Sequence, residues 1–293
     1  MSILVDESTR VLVQGITGKV GSFQAQVMKD YGTRVVAGVT PGKGGTLVHE
    51  IPVYNLVEQA VKVGPVDAAL SFVPARSAKD AAIEVIDNGI PLLVLSAGEI
   101  PDHDVMAIIR FASSRGTRVV GPDTPGIVSP GKCKVGVHPN RVLLPGAVGI
   151  VSKSGALSYE VCKRLTESGI GQSTVVGIGG GPLWGTTQRD ALALFEADPE
   201  TRAVILLGEV GGTMEQEAAE FVRTRMKKPV IVLIVGRAAP VGARMGHAGA
   251  IVEGETETAE AKLAALEQAG CMVTRNPAEI VPLLRKLEGG NAP

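Results

Sequence analysis

The feature that most constrains this fold is a regular alternation of short aliphatic runs with longer amphipathic segments. Runs rich in Val, Ile and Leu are typical of strands buried on both faces of a parallel sheet. In the first half they are RVLVQG at 10–15, RVVAGV at 34–39, AALSFV at 68–73, PLLVLS at 91–96 and RVVGPD at 118–123. The intervening segments, such as 20–32 and 75–89, have apolar residues at helical spacing. We therefore predict an α/β fold with doubly wound sheets and right-handed crossovers.

A stretch rich in Pro and Gly, residues 124–146, interrupts this alternation. The alternation then resumes, with a last helix predicted over 278–290 and strands predicted near 147–152, 173–178, 203–208, 230–235 and 271–274. We therefore predict two domains, 1–123 and 147–293, connected by 124–146. Ligands of open α/β sheets usually lie at the carboxyl ends of the strands, so we expect site residues in the loops that follow them.

Composition excludes several classes of protein. Aromatic residues make up only 3%, which leaves few rings to stack on nucleic-acid bases. With 29 basic and 30 acidic residues the net charge is −1, so no strong field attracts nucleic acid or an anionic membrane. Cys133, Cys162 and Cys271 form no metal-spaced pair and no disulfide framework. The sequence shows no secretory signal pattern and no apolar run of roughly 18 residues, so we expect a cytoplasmic protein without a membrane span.

The first candidate site is the glycine-rich turn VLVQGITGKVGSF, between a predicted strand and a predicted helix. Gly15, Gly18 and Gly21 let backbone N–H groups approach a phosphate at the helix N-terminus. Their GxxGxxG spacing differs from the GxGxxG of NAD sites, which also have an acidic residue about 20 positions later. Here the second strand leads instead into VTPGKGG, which carries Lys43. This pattern favours a nucleotide with an additional phosphate, such as coenzyme A; a tight turn without a ligand is the alternative.

Three loops of the second half carry further candidates. IVSKSGALSYE places Ser154 between a strand and a helix, where it can cap the helix beside an anion site or simply begin an ordinary helix. VVGIGGGPLWG is a second glycine-rich loop. VILLGEVGGT places Glu209 at the end of an apolar strand, either inside a site or exposed at its rim.

RMGHAGAI surrounds His247 with small residues. A neutral imidazole is nucleophilic at neutral pH, and a carboxylate on one ring nitrogen leaves the other available for attack. Gly246, Ala248 and Gly249 would let a phosphoryl group reach the ring. On these residues alone, a reactive loop and a turn that contains a histidine remain equally open.

The motifs together resemble the α subunit of succinate–CoA ligase, over nearly the whole length. They are QGITG at 14–18, GVTPGKGG at 38–45, GIVSKSG at 149–155, VGIGG at 176–180, GEVGG at 208–212 and RMGHAGAI at 244–251. The resemblance implies a Rossmann-like CoA-binding domain followed by a flavodoxin-like ligase domain. It also implies an acid–thiol ligase of the tricarboxylic acid cycle, which forms acyl-CoA through an acyl phosphate and a phosphohistidine.

The same resemblance assigns roles to individual residues. His247 is implied as the phosphohistidine, Glu209 as its orienting carboxylate, and Tyr159 as a contact of the carboxylate substrate. Ser154 and Gly155 are implied to bind phosphate at the start of a helix. CoA is implied to contact Thr17, Gly18, Lys19, Val20, Lys43, Ser96, Ala97 and Gly98. ATP or GTP and Mg²⁺ are implied to bind mainly to an ATP-grasp β subunit, in an αβ or α2β2 assembly, with no metal site in this chain.

The chain departs from the family pattern on the CoA and acyl side. The usual Asn-Cys of the Asn-Cys-Pro-Gly motif is Asp123-Thr124, and the usual Thr-Glu-Gly before Ile-Pro is Ala-Gly-Glu, with Gly98 at its centre. Gly181 replaces the aspartate of Gly-Gly-Asp-Pro, and Trp184 follows. These departures keep two alternatives open: a malate–CoA or citrate–CoA ligase subunit and a catalytically silent CoA-binding regulator. An NAD-dependent oxidoreductase is a third and weaker alternative, because the chain lacks the glycine spacing and the acidic residue of NAD sites.

Overall fold

The computed structural model describes residues 2–289, which form two compact units. The first unit comprises Leu4–His138 with Leu183–Thr186, and the second comprises residues 2–3, 139–182 and 187–289. The division after residue 138 lies inside the predicted connecting segment. Within the described residues, no helix is long and apolar enough to cross a membrane.

The first unit contains a seven-stranded sheet, four helices and an antiparallel hairpin. Its strands are β1 (Arg10–Gln14), β2 (Arg34–Val39), β3 (Leu47–Val48), β4 (Ile51–Tyr54), β5 (Ala68–Ser71), β6 (Leu92–Leu95), β7 (Arg118–Val120), β8 (Gly126–Ser129) and β9 (Cys133–Gly136). Its helices are α1 (Lys19–Asp30), α2 (Val57–Val63), α3 (Ala75–Asp87) and α4 (Asp102–Arg115).

The sheet order of the first unit is β3-β4-β2-β1-β5-β6-β7, and only the short β3 is antiparallel to its neighbour. Without β3, the parallel strands follow the 3-2-1-4-5-6 order of dinucleotide-binding folds. The order reverses between β1 and β5, so the loops after these two strands border the crevice where such folds bind their ligands.

The second unit contains five parallel strands and five helices. Its strands are β10 (Pro145–Ser152), β11 (Gln172–Gly177), β12 (Ala203–Glu209), β13 (Val230–Val235) and β14 (Met272–Thr274). Its helices are α5 (Gly155–Glu167), α6 (Gln188–Ala197), α7 (Met214–Arg225), α8 (Ala259–Gln268) and α9 (Ile280–Gly289), with short 3-10 turns at Asn140–Val142, Glu255–Glu257 and Pro277–Glu279. Their spatial order, β11-β10-β12-β13-β14, is the 2-1-3-4-5 order of flavodoxin-like sheets, with the reversal between β10 and β12.

The predicted doubly wound α/β fold is confirmed, and each predicted strand lies within a few residues of an observed one. The sequence reading missed β3 and β4, and it missed the antiparallel hairpin of β8 and β9 inside 124–146. The glycines there are part of the hairpin, because a Cβ on Gly126 would lie 2.1 Å from the carbonyl oxygen of Val135. Residue 290, the end of the predicted last helix, lies outside the described residues.

Gly21 allows α1 to pack against the turn that precedes it. The helix is buried at Gly21, Ala25 and Met28, and a Cβ on Gly21 would lie 2.2 Å from the carbonyl oxygen of Gly15. The atoms nearest to this Cβ all belong to the backbone of Gly15 and Ile16, so none of them could rotate away. The turn and the start of α1 therefore tolerate no side chain at this position.

We therefore expect Gly21→Ala to destabilise the first unit by about 1–3 kcal/mol, the usual cost of overpacking. The fluorescence of Trp184, the single tryptophan, reports on this unit because residues 183–186 belong to it. Urea unfolding followed by this signal measures the change. Gly64→Ala is the matched control, since a Cβ there meets open space; equal effects of the two substitutions would contradict the packing argument.

Candidate active site

The turn after β1 presents the N-terminus of α1. Gly15 has a φ of +75°, and its N–H donates to the carbonyl oxygen of Val39 over 2.8 Å. The predicted CoA contacts follow directly: Thr17 is half-buried, while Gly18, Lys19 and Val20 are exposed. Gly18 is the N-cap and provides no side-chain hydrogen bond. The first N–H groups of an α-helix have no partner within the helix, so this end is suited to bind an anion.

Lys43 lies on the loop after β2, the neighbour of β1. The loop is held by hydrogen bonds from the N–H of Gly44 to Asn55 Oδ1 (2.8 Å) and from Thr46 Oγ1 to the carbonyl oxygen of Lys43 (2.8 Å). The Lys43 side chain is exposed. Because β1 and β2 are parallel, the lysine and the turn after β1 lie at the same edge of the sheet.

A cavity of about 530 Å³ opens at this edge, and the sequence reading missed its lining. It is bordered by the ends of β1, β2 and β5 and by the first turns of α3. Its lining residues are Gln14, Gly15, Val39, Thr40, Pro41, Val73, Pro74, Ser77, Asp80, Ala81 and Glu84. Several of these residues lie at or after the ends of predicted strands, and this position in the sequence is the signal that could have identified them. The predicted contacts Thr17 and Lys43 lie on two of the same loops.

The loop after β6 places two departures from the family pattern together. Ser96, Ala97 and Gly98 are half-buried, and the N–H of Asp123 donates to the carbonyl oxygen of Ala97 over 2.9 Å. A Cβ on Gly98 would lie 2.9 Å from Asp123 Oδ1. The space beside Gly98 is therefore occupied by the Asp123 carboxylate.

In the second unit, Ser154 is the N-cap of α5, as the sequence predicts. Its Oγ accepts a hydrogen bond from the N–H of Leu157 over 3.3 Å, and Gly155 is the first residue of the helix. Tyr159 lies one turn later and is half-buried. Burial raises the pKa of its hydroxyl, so the group is protonated at neutral pH and can donate a hydrogen bond.

Glu209 ends β12, and its side chain contacts His247. Glu209 Oε2 lies 2.6 Å from His247 Nδ1. The carboxylate is 7% exposed, whereas the imidazole is 28% exposed and accessible from solvent. A carboxylate at Nδ1 favours the tautomer with the proton on that nitrogen, so the nucleophilic lone pair lies on Nε2. Among the described residues, Glu209 Oε1 is buried without a hydrogen-bond partner.

The small residues around His247 allow three loops to pack closely. The N–H of Gly249 donates to the carbonyl oxygen of Gly180 over 3.0 Å, and a Cβ on Gly211 would lie 2.2 Å from the carbonyl oxygen of Gly249. Gly246 has a φ of +89° and open space around it. Gly211 must therefore lack a side chain for its loop to contact the loop at Gly249, while a Cβ at Gly246 would meet open space.

The site lies where the strand order of the second unit reverses. Strands β10 and β12 are adjacent and parallel, with Ser152 paired to Leu207, so Ser154 and Glu209 follow neighbouring strand ends. The structure therefore brings Ser154, Gly155, Glu209 and His247 to one edge of the second unit. The described residues contain no cluster of three or more His, Cys, Asp or Glu that could hold a metal.

The three cysteines lie outside this chemistry. Cys133, Cys162 and Cys271 are buried and unpaired with one another. Burial raises the pKa of each thiol to about 12, so none is a thiolate at neutral pH.

Known families and proteins match most of the chain. Residues 6–98 match the family described as CoA binding domain, and residues 151–272 match the family described as CoA-ligase. The α subunit 1 of an ADP-forming succinate–CoA ligase from Archaeoglobus fulgidus is 54% identical over 98% of each chain. The corresponding α subunit from Aquifex aeolicus is 50% identical over 98% of this chain and 95% of that one.

A solved structure also aligns over almost all of the chain. It is a mutant ATP citrate lyase of Methanosaeta concilii in complex with (3S)-citryl-CoA, with a TM-score of 0.89 and 26% identity. The alignment covers 99% of this chain but only 51% of that one, so the chain spans about half the length of the lyase. Identity of about half over the full length of the succinate–CoA ligase subunits shows the closer relationship, and the chain belongs to the family of succinate–CoA ligase α subunits.

Proposed function

We propose that this chain is the α subunit of a ligase that makes succinyl-CoA from succinate, CoA and a nucleoside triphosphate, with His247 as the phosphoryl carrier. The observation that carries the proposal is the 2.6 Å contact between His247 Nδ1 and Glu209 Oε2 at the reversal of the second sheet. It leaves Nε2 as the nucleophile on an accessible ring. The names of relatives that are 46–54% identical support succinate over malate or citrate as the acid.

The proposed reaction has three balanced steps. Nε2 of His247 bonds to the γ-phosphorus of the triphosphate as the bond to the bridging oxygen breaks, which releases the diphosphate. A succinate carboxylate oxygen then takes the phosphoryl group, forming an acyl phosphate and restoring the imidazole. The CoA sulfur attacks the acyl carbon, inorganic phosphate leaves, and the thiol proton passes to solvent.

The chain's own residues have distinct parts in this scheme. The N–H groups at Gly155 and the following residue, with Ser154 capping the helix, would hold phosphate oxygens beside the imidazole. Glu209 would orient His247 and stabilise positive charge on the ring. Tyr159 would donate a hydrogen bond to the carboxylate substrate.

CoA would bind to the first unit. The start of α1, with half-buried Thr17 and exposed Gly18, Lys19 and Val20, suits its phosphates, as does the exposed ammonium of Lys43. The cavity of about 530 Å³ suits its adenine. Ser96, Ala97 and Gly98 would contact the pantetheine arm. All these groups follow parallel strands of one sheet, at its carboxyl edge.

Membership of the family implies a β subunit as partner. We propose that this partner is an ATP-grasp chain that binds ATP or GTP with Mg²⁺, in an αβ or α2β2 assembly in the cytoplasm. The small carboxylic acid and CoA would then be the remaining substrates.

The complex with the β subunit should incorporate acid-labile phosphate from [γ-³²P]ATP. We expect His247→Ala to abolish this label, because it removes the imidazole that Glu209 orients for attack. His103→Ala removes an exposed histidine of the first unit and should label normally. Label that persists in His247→Ala would refute the assignment, and an unlabelled wild-type complex would favour a silent regulator. A panel of succinate, malate and citrate then identifies the acid.

Glu209→Gln should slow labelling of His247 on the order of 10²-fold, because a neutral amide neither fixes the tautomer nor balances charge on the ring. The affinity for CoA should not change, since CoA would bind the first unit. Rapid-quench labelling and calorimetric titration of CoA measure the two quantities. Unchanged labelling would remove Glu209 from the mechanism.

Lys43→Ala should weaken CoA binding roughly 3- to 10-fold, the effect of losing one exposed charge-assisted contact. The loss should be smaller for dephospho-CoA, which lacks the 3′-phosphate. Lys62→Ala is the control, because Lys62 is exposed on α2 and paired with Glu58. If Lys43→Ala weakened the binding of CoA and of dephospho-CoA equally, Lys43 would contact a part of CoA other than the 3′-phosphate.

A further inference from the structure

Three charged side chains lie buried behind the loop that carries Glu209. Lys153 Nζ lies 2.8 Å from Glu215 Oε1, and Lys262 Nζ contacts Glu215 Oε2. All three side chains are at most 1% exposed. Burial alone would raise the pKa of the Glu215 carboxyl, but the charges and hydrogen bonds of both lysines outweigh it and lower that pKa. Glu215 is therefore ionised between two lysines.

This cluster holds the backbone on both sides of Glu209. Lys262 Nζ donates to the carbonyl oxygens of Glu209 (2.9 Å) and Gly211 (2.6 Å). Together with Glu215 these are three acceptors, which is the number of N–H bonds in an ammonium group. Glu215 Oε1 accepts from the N–H of Glu209 over 3.3 Å. The peptide groups that aim the Glu209 side chain at His247 are thus fixed from inside the unit.

The same cluster reaches the phosphate-binding loop. Lys153 directly precedes Ser154, the cap of α5, and its own N–H donates to the carbonyl oxygen of Leu207 over 3.2 Å. A single carboxylate, Glu215, therefore joins the loop after β10 to the loop after β12. The spacing between the helix N-terminus and the imidazole depends on this shared anchor.

The charges of the cluster give it a second effect. Glu215 contacts both lysines, and the charge of Glu209 also acts on Lys262. Replacing one lysine with an apolar residue would remove a cationic side chain from beside the position of an incoming phosphoryl group, in a region of low dielectric where interactions between charges are strong. A stability role alone does not call for this arrangement, because buried ion triads can often be replaced by apolar residues without loss of stability.

We propose that Lys153, Glu215 and Lys262 form a positioning triad that fixes Glu209 against the phosphate-binding loop and thereby sets the phosphorylation rate of His247. This inference rests on the proposed role of His247. The triad touches no reacting atom and acts through Glu209.

The test is a double-mutant cycle on the rate of ³²P labelling of the complex with the β subunit. Lys262→Met nearly preserves the side-chain volume but removes the hydrogen bonds from Lys262 to the backbone at Glu209 and Gly211. It should slow labelling on the order of 10²-fold, as expected for a catalytic group misplaced by about 1 Å. In the Glu209→Gln background the same substitution should slow labelling less than about 3-fold, because residues that act through one another are not additive. The Kd for CoA should be unchanged throughout.

Lys134→Met is the matched control, since Lys134 is another fully buried lysine but belongs to the first unit. It should lower the thermal midpoint while labelling stays within about 3-fold of wild type, at a temperature where both variants are folded. The proposal would be overturned if the effects of Lys262→Met and Glu209→Gln on the labelling rate multiplied in the double variant, or if Lys262→Met labelled at the wild-type rate. If the wild-type complex takes up no label, or His247→Ala still does, the proposed function fails instead.

Should Lys262→Met not fold, the variant Lys262→Met with Glu215→Gln removes one cation and one anion and leaves Lys153 an amide acceptor. It also removes the hydrogen bonds that hold the backbone at Glu209, so labelling should be equally slow. Adding Glu209→Gln to this variant should again slow labelling by less than about 3-fold. Labelling at the wild-type rate in this folded variant would equally overturn the proposal.

Discussion

The hydrogen bond between His247 Nδ1 and Glu209 Oε2 is the interaction on which the site depends. It assigns the two ring nitrogens different tasks and connects an accessible loop to the end of a buried strand. Glu209 can serve as an anchor because β12 is buried along its whole length. The imidazole belongs to a loop that is mostly exposed, so its orientation comes from its partner more than from its own segment.

Much of the fold could be predicted from the sequence because its strands are long enough to carry a signal. The runs at 203–208 and 230–235 are almost wholly apolar and lie within strands of the second sheet. Strand β3 has only two residues, one of them exposed, and gives no periodic pattern. The hairpin of β8 and β9 resembled a loop because its glycines, which the close contact between the strands requires, also occur in turns.

The residues of the candidate site also divide into those that the sequence could identify and those that it could not. Residues beside conspicuous glycines, such as Ser154, Glu209 and His247, were accessible to sequence reasoning. The triad was not, because Lys153 reads as part of a polar loop, while Glu215 and Lys262 read as polar positions of helices α7 and α8. Only the tertiary fold turns these positions inward, where each lysine finds the same carboxylate. The residues that line the cavity of the first unit could not be predicted for a related reason, since residues from three strand ends meet only when the sheet forms.

The departures from the family pattern can be weighed by the same geometry. A Cβ at position 98 would lie 2.9 Å from Asp123 Oδ1, so the glutamate that the family pattern has at this position would meet the Asp123 carboxylate at close range. In this chain the missing side chain at Gly98 thus leaves the space that the Asp123 carboxylate occupies. Thr124 is buried, and its Oγ1 accepts a hydrogen bond from the N–H of Gly126 over 2.8 Å, so its hydroxyl serves the turn into β8. These contacts lie within the first unit, whereas Glu209 and His247 belong to the second. The departures therefore favour a protein that retains phosphoryl transfer and has an altered surface on the CoA and acyl side, over one that has lost its activity.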